Sequence, residues 1–183
     1  MMHQLTAINE TKDIPAAYRH NAIGRLLEYH NLHRPFETYA QAQLLIGMCM
    51  DNRKHLRMPD NFAFIIRAGG ANLRYSEFKV SYAIAVGGVS CMALIGHNHC
   101  GMVNLASRKE VFIQGLMRRG GWKRNDAEAH FVQFSTMFEI GSETDFIVSE
   151  VKRLRLRYPK VTIAPMLYKV EDNQLYLFKE RST

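Results

Sequence analysis

Two short apolar runs constrain this chain more than any other feature. Leu44-Leu45-Ile46-Gly47-Met48 and Met92-Ala93-Leu94-Ile95 contain no polar side chain. A short run without polar alternation reads as a strand buried on both faces, the pattern of a parallel sheet covered by helices. Both runs stop abruptly. The first ends in Cys49-Met50-Asp51-Asn52-Arg53, the second in Gly96-His97-Asn98-His99-Cys100-Gly101. Ligands of open α/β sheets bind just beyond the carboxyl ends of the strands. Cys49, His97 and Cys100 therefore stand where such folds place their chemistry.

The order of the other elements fits the same sheet. Phe62-Ala63-Phe64-Ile65-Ile66 is a strand leading into small residues over 68–72, which let backbone approach something closely. A helix over 76–86 follows, with Phe78, Tyr82 and Val86 on one stripe, and Gly87-Gly88 stops it. Strand, helix, strand is the βαβ order of a parallel sheet. Upstream, 1–13 reads as a wrapping arm. Pro15 then opens a helix over 15–31 on the spacing of Ala16, Ala22, Ile23, Leu26 and Leu27. Downstream, helices are expected over 108–117, over 125–138 with Asn125 as N-cap, and over 142–158 with Ser142 as N-cap. Strands over 161–170 and 175–178 form a hairpin around Glu171-Asp172-Asn173. The expected fold is a single α/β domain over 1–183. It has a mostly parallel central sheet flanked by helices, an N-terminal helical arm, and a C-terminal edge strand or hairpin.

Composition narrows the setting. A chain of 183 residues builds one sizeable core, and its three cysteines are too few and odd in number for a disulfide framework. The opening MMHQLTAINETKD lacks the apolar core of a secretory signal, and no stretch approaches a membrane span. A cytoplasmic protein without a membrane partner is expected. The net charge of +7 attracts anions. Its basic clusters, Arg118, Arg119, Lys123 and Arg124, then Lys152, Arg153, Arg155 and Arg157, lie on or between helices with no stacking aromatics. They read as solvated helix faces, not as a nucleic-acid surface.

The site residues make a chemical set. Cys91 alone reads as a small core residue. Cys49, His97 and Cys100 together give two thiols and one imidazole from two strand ends that can be neighbours. Cys2His is a catalytic zinc set that leaves a fourth position for water. Asp51 lies two residues beyond Cys49 and Arg53 two further, so in extended chain all three point the same way. The carboxylate and guanidinium can form a bidentate, charge-assisted pair. Beside a metal, Arg53 would keep Asp51 ionised and aimed.

Cys-x-Asp-x-Arg over 49–53 followed by His-x-x-Cys-Gly over 97–101 resembles the signature of the β-class carbonic anhydrases, and the likeness runs from about Gln43 to Leu105. The resemblance implies a Zn2+ enzyme that reversibly hydrates carbon dioxide to bicarbonate. Cys49, His97 and Cys100 would be ligands, Asp51 and Arg53 the catalytic dyad, and Asp51 a fourth ligand in a closed state. It also implies homodimers or multiples of dimers, with 1–35 packing on a partner subunit. The chain departs from the family at Ala68-Gly69-Gly70-Ala71-Asn72, where Asn-Ala-Gly-Asn is common, and in placing His99 between two ligands. By residue type His99 is a candidate proton shuttle; His55 and His130 are weaker candidates. Two other readings follow: a carbonyl sulfide or carbon disulfide hydrolase on the same zinc site, or a catalytically silent zinc-binding homologue.

Overall fold

A computed structural model describes residues 3–179. Six strands form one sheet: β1 (Leu5–Thr6), β2 (Leu44–Met48), β3 (Ala63–Arg67), β4 (Cys91–His97), β5 (Thr162–Lys169) and β6 (Gln174–Phe178). Their order is β1-β6-β5-β4-β2-β3. The four strands β3, β2, β4 and β5 run parallel, and β6 and β1 are antiparallel additions. The helices are α1 (Ala16–Arg19), α2 (Ala22–His30), α3 (Glu77–Ala85), α4 (Lys109–Gly120), α5 (Arg124–Phe138) and α6 (Glu143–Arg157). Among the described residues no helix is long and apolar enough to cross a membrane.

The unbroken apolar runs are explained by two cores. Leu44, Ile46 and Met48 face a layer holding Ile23, Leu26, Leu27 and Tyr29 of α2. Leu45 faces the other way, toward Val80 of α3 and Ile147, Val151 and Leu154 of α6. Side chains alternate across a strand, so both faces of β2 and β4 must be apolar. Gly96 in β4 lets α6 come close: a Cβ there would stand 2.6 Å from Ile147 Cγ1. Gly96→Ala is expected to destabilise by about 1–3 kcal/mol through overpacking. Urea unfolding checks this, and an unchanged midpoint would contradict it.

Several expectations need correction. The helix over 15–31 is broken at His20-Asn21, where the Asn21 side chain accepts from Ile23 N at 2.9 Å and starts α2 afresh. Asn125 lies inside α5, and Lys123 occupies the N-cap without a side-chain bond. The stripe Phe78, Tyr82 and Val86 faces outward, 82, 53 and 67 % exposed, while α3 buries Val80 and Ala83. Periodicity finds an apolar stripe but not the side on which the sheet lies. The C-terminal hairpin is present as β5 and β6, and β1 pairs outside β6. The Ser142 cap is present, accepting from Asp145 N at 3.3 Å. The apolar stripe of α2 is spent within its own chain, so contact with a second copy would use another face. On α6, Arg153 is tied to Glu150 and Glu77.

His30 of α2 joins the two ends of the chain. Its Nε2 donates to Asn173 O at 2.9 Å, and its Nδ1 accepts from Arg57 N at 3.0 Å. Burial lowers its pKa from 6.5 to about 4. The unfolded chain therefore takes up a proton between those values that the folded chain refuses. The stability this gives is full above pH 6.5 and is lost as pH falls toward about 4. The loss is roughly 3 kcal/mol at 1.4 kcal/mol per unit. Urea titrations across this window should show a shallower pH slope in His30→Gln; an identical slope would refute the assignment.

Candidate metal centre

β2 and β4 are parallel neighbours, with Met48 opposite Ile95. Their carboxyl ends lie side by side, so Cys49, the residue after β2, meets His97, the last of β4. His99 takes a left-handed φ of 55° in the turn that follows. The turn carries Cys100 back to within 4.0 Å of Cys49, sulfur to sulfur. The Cys49, His97 and Cys100 donor atoms all lie within 4.8 Å of one another, and all three residues are buried. In a tetrahedral zinc site two sulfurs stand about 3.8 Å apart, given Zn–S near 2.3 Å.

The imidazole decides the fit. His97 Nδ1 donates to the carbonyl of Asn98 at 2.9 Å. Nε2 is thereby left as a bare acceptor. It is buried without a hydrogen-bond partner, and only 1 % of the His97 side chain is exposed. A buried nitrogen left so is costly unless something completes it. Nε2 and two sulfurs make a donor set for a soft divalent metal.

The two thiols are in contact. Cys100 donates to Cys49, which also accepts from Gly70 N at 3.3 Å. The hydrogen bond from Cys100 is the larger cause holding the Cys49 thiol well below its usual range, and the same bond pushes Cys100 up. The small residues over 68–72 approach Cys49 itself. Gly70 supplies its N–H from a left-handed φ of 62°. Asn72 turns away and donates to Met137 O at 3.0 Å.

Asp51 and Arg53 meet in the way their spacing allows. Arg53 Nε lies 3.0 Å from Oδ1 and Nη2 lies 2.7 Å from Oδ2. The Arg53 amide also bonds Oδ1, at 2.9 Å. These bonds hold the Asp51 carboxyl well below the usual carboxylate range. Nη2 reaches on to His99 O at 2.9 Å and ties the two strand-end loops together. Asp51 Oδ2 stands 3.9 Å from His97 Nε2, at the rim of the donor set. The His99 ring points elsewhere, to Glu171 at 3.0 Å on the surface. His55 is exposed. His130 is packed among Phe112, Trp122 and Phe134.

Three residues that the motifs do not mark hold the site. Lys54 is fully buried, its Nζ 3.2 Å from Asp51 O and 3.8 Å from Asp51 Oδ1. Burial lowers its pKa, against the pull of Cys49 and Asp51. Arg67, the last residue of β3, donates to Cys49 O at 3.2 Å. Glu143, at the start of α6, accepts from Cys100 N at 3.1 Å. Lys54 reaches Asp51 locally, three residues on, whereas Arg67 and Glu143 are brought to the ligands only by the packing of β3 and α6.

No family profile matches the sequence, and no curated protein does. Solved structures do match. A β-carbonic anhydrase of Trichomonas vaginalis, isoform I, superposes with a TM-score of 0.62 at 17 % identity, over 82 % of this chain and 91 % of that one. The chain has the fold of the β-carbonic anhydrases. The carbonic anhydrase of Glaciozyma antarctica gives 0.59 at 20 % identity, over 75 % and 83 % of the two chains. A carbon disulfide hydrolase gives 0.53 at 18 % identity, over 77 % and 80 %. The β-carbonic anhydrase fold thus accounts for most of this chain.

Proposed function

We propose that this chain belongs to the β-class carbonic anhydrases and catalyses the reversible hydration of carbon dioxide at a zinc ion held by Cys49, His97 and Cys100. The observation that carries the reading is the orphaned Nε2 of His97 facing two thiols, with the Asp51–Arg53 pair at the rim. Zinc bound there would act as a Lewis acid, making a coordinated water acidic enough to attack carbon near neutral pH. The protein's part is orientation. Arg53 occupies both oxygens of Asp51 and keeps the carboxylate ionised. Asp51 accepts a hydrogen bond from the attacking water and fixes its free lone pair toward the carbon. The buried Lys54 braces the Asp51 main chain from behind. The closed arrangement, with Asp51 as fourth ligand, requires the Arg53 pair to open first.

The setting follows. The unpaired thiols suit a reducing cytoplasm. A homodimer, or a multiple of dimers, is supported by the free edge of the sheet. Phe64 and Ile65 of β3 are exposed there, and Phe78 and Tyr82 of α3 line the same groove. An exposed apolar edge of this kind is normally covered.

A sulfur-gas substrate is the second reading, favoured by Met50 and Met102, which flank the ligand cysteines with apolar thioethers. Hydrolysis of carbonyl sulfide and carbon disulfide, measured beside carbon dioxide hydration on one zinc-loaded preparation, separates the two. Carbon dioxide should be turned over fastest. Faster turnover of either sulfur gas would replace the reading, and zinc without any turnover would make the chain a silent homologue.

A further inference from the structure

Beside the metal centre, helices α4 and α5 enclose a chamber of about 400 Å³ against the strand-end loops, partly open to solvent. Its walls are Met50, Met102, Phe112, Phe131, Phe134 and Phe138. The rings lean on one another and leave the space between them unfilled. Phe112 and Phe131 meet edge to face at 5.2 Å, and His130 and Phe134 stand 4.8 Å apart. Met102 is the wall shared with the centre, since it packs on the cluster of Cys49, Cys100 and Ile140. It also closes on Gly69, where a Cβ would come within 2.9 Å of its sulfur. Met50, 66 % exposed, and Phe112, 37 % exposed, carry the solvent-facing edge.

No Asp, Glu, Lys or Arg lines the chamber itself, whose polar side chains are Ser135 and His130; Asp51, Arg53 and Arg108 line the adjoining cleft, on the other side of Met102, Leu105, Phe112 and Phe131. A water needs about two to four polar partners to settle in such a space, and this wall does not offer them to most of its volume. An apolar cavity of about 150 Å³ already accepts benzene. A three-atom gas would rattle in a space this large.

We propose that the chamber is a binding site for an uncharged aromatic or alicyclic molecule of one ring, seated on the Phe112–Phe131 pair and pressed against Met102. The proposal shares only its position with the reading of the metal centre. Carbon dioxide turnover without ring binding would remove the chamber alone; ring binding without turnover would remove the hydratase reading alone.

Fluorobenzene, followed by its fluorine resonance during titration with the zinc-loaded full chain, tests it. Saturable one-site binding is expected. Ser135→Trp, which fills the chamber from α5, should weaken it at least tenfold. Ser135→Glu, which places a charge in the wall, should weaken it as well and guards against misfolding of the first variant. Val132→Trp, on the exposed side of the same helix, should leave it unchanged. Benzoate should not compete. Absence of saturable binding, undiminished binding in both Ser135 variants, or competition by benzoate at equal concentration would each overturn the proposal.

Discussion

Cys49→Ser and Cys100→Ser are each expected to leave the purified protein without zinc. Cys49 is held by three elements at once: β2 carries it, Gly70 N donates to its sulfur, and Arg67 fixes its carbonyl. A serine hydroxyl at that place keeps the packing but offers a harder, protonated donor. Loss of an outer partner of a metal ligand already costs about 10–100-fold in affinity, so loss of the ligand should exceed that range. Metal-linked stability goes with it. At free zinc of 100 to 1,000 times the dissociation constant, that is about 3–4 kcal/mol. Cys91→Ala is the control, because Cys91 opens β4 at the end of the strand away from His97. Zinc content by elemental analysis and thermal midpoints with and without chelator check the prediction. Full zinc in both serine variants would dismiss the ligand assignment.

Asp51→Asn should keep its zinc and lose turnover by about 10²–10⁴-fold, the range for a positioned acid–base group. The amide is nearly the same size as the carboxylate. Its one oxygen can face either the Arg53 Nε and main-chain amide that now reach Oδ1 or the Nη2 that reaches Oδ2, not both. Its NH2 group faces the other and repels it. The attacking water then meets either a donor or a displaced side chain. The kinetic defect should fall on kcat with little change in zinc content. Unchanged turnover in a zinc-replete Asp51→Asn protein would take the dyad out of the mechanism.

Legibility in the sequence followed the physics of each feature. β2 and β4 could be read because strands buried on both faces have no room for polar residues. The cysteines and histidine could be read because they interrupt those runs at the carboxyl end. Asp51 and Arg53 met because period-two spacing needs nothing beyond the local chain. What depends on distant packing was hidden. The outward face of α3 is set by where the sheet edge falls, not by Phe78, Tyr82 and Val86 themselves. Lys54 looks like a loop cation, yet it is fully buried beneath the Asp51 main chain. Glu143 caps Cys100 from 43 residues away. The break at Asn21 turned on a single side chain accepting from the backbone two residues on. The aromatic walls of the chamber came from helices that carry no motif.

The Cys49–His97–Cys100 centre, aimed by Asp51, is proposed to hydrate carbon dioxide. Stopped-flow hydration by the zinc-loaded protein across pH, with Asp51→Asn alongside, tests it most directly. Turnover should rise with pH in the wild type and be all but lost in the variant. Zinc confirmed in place with no hydration at any pH would contradict it.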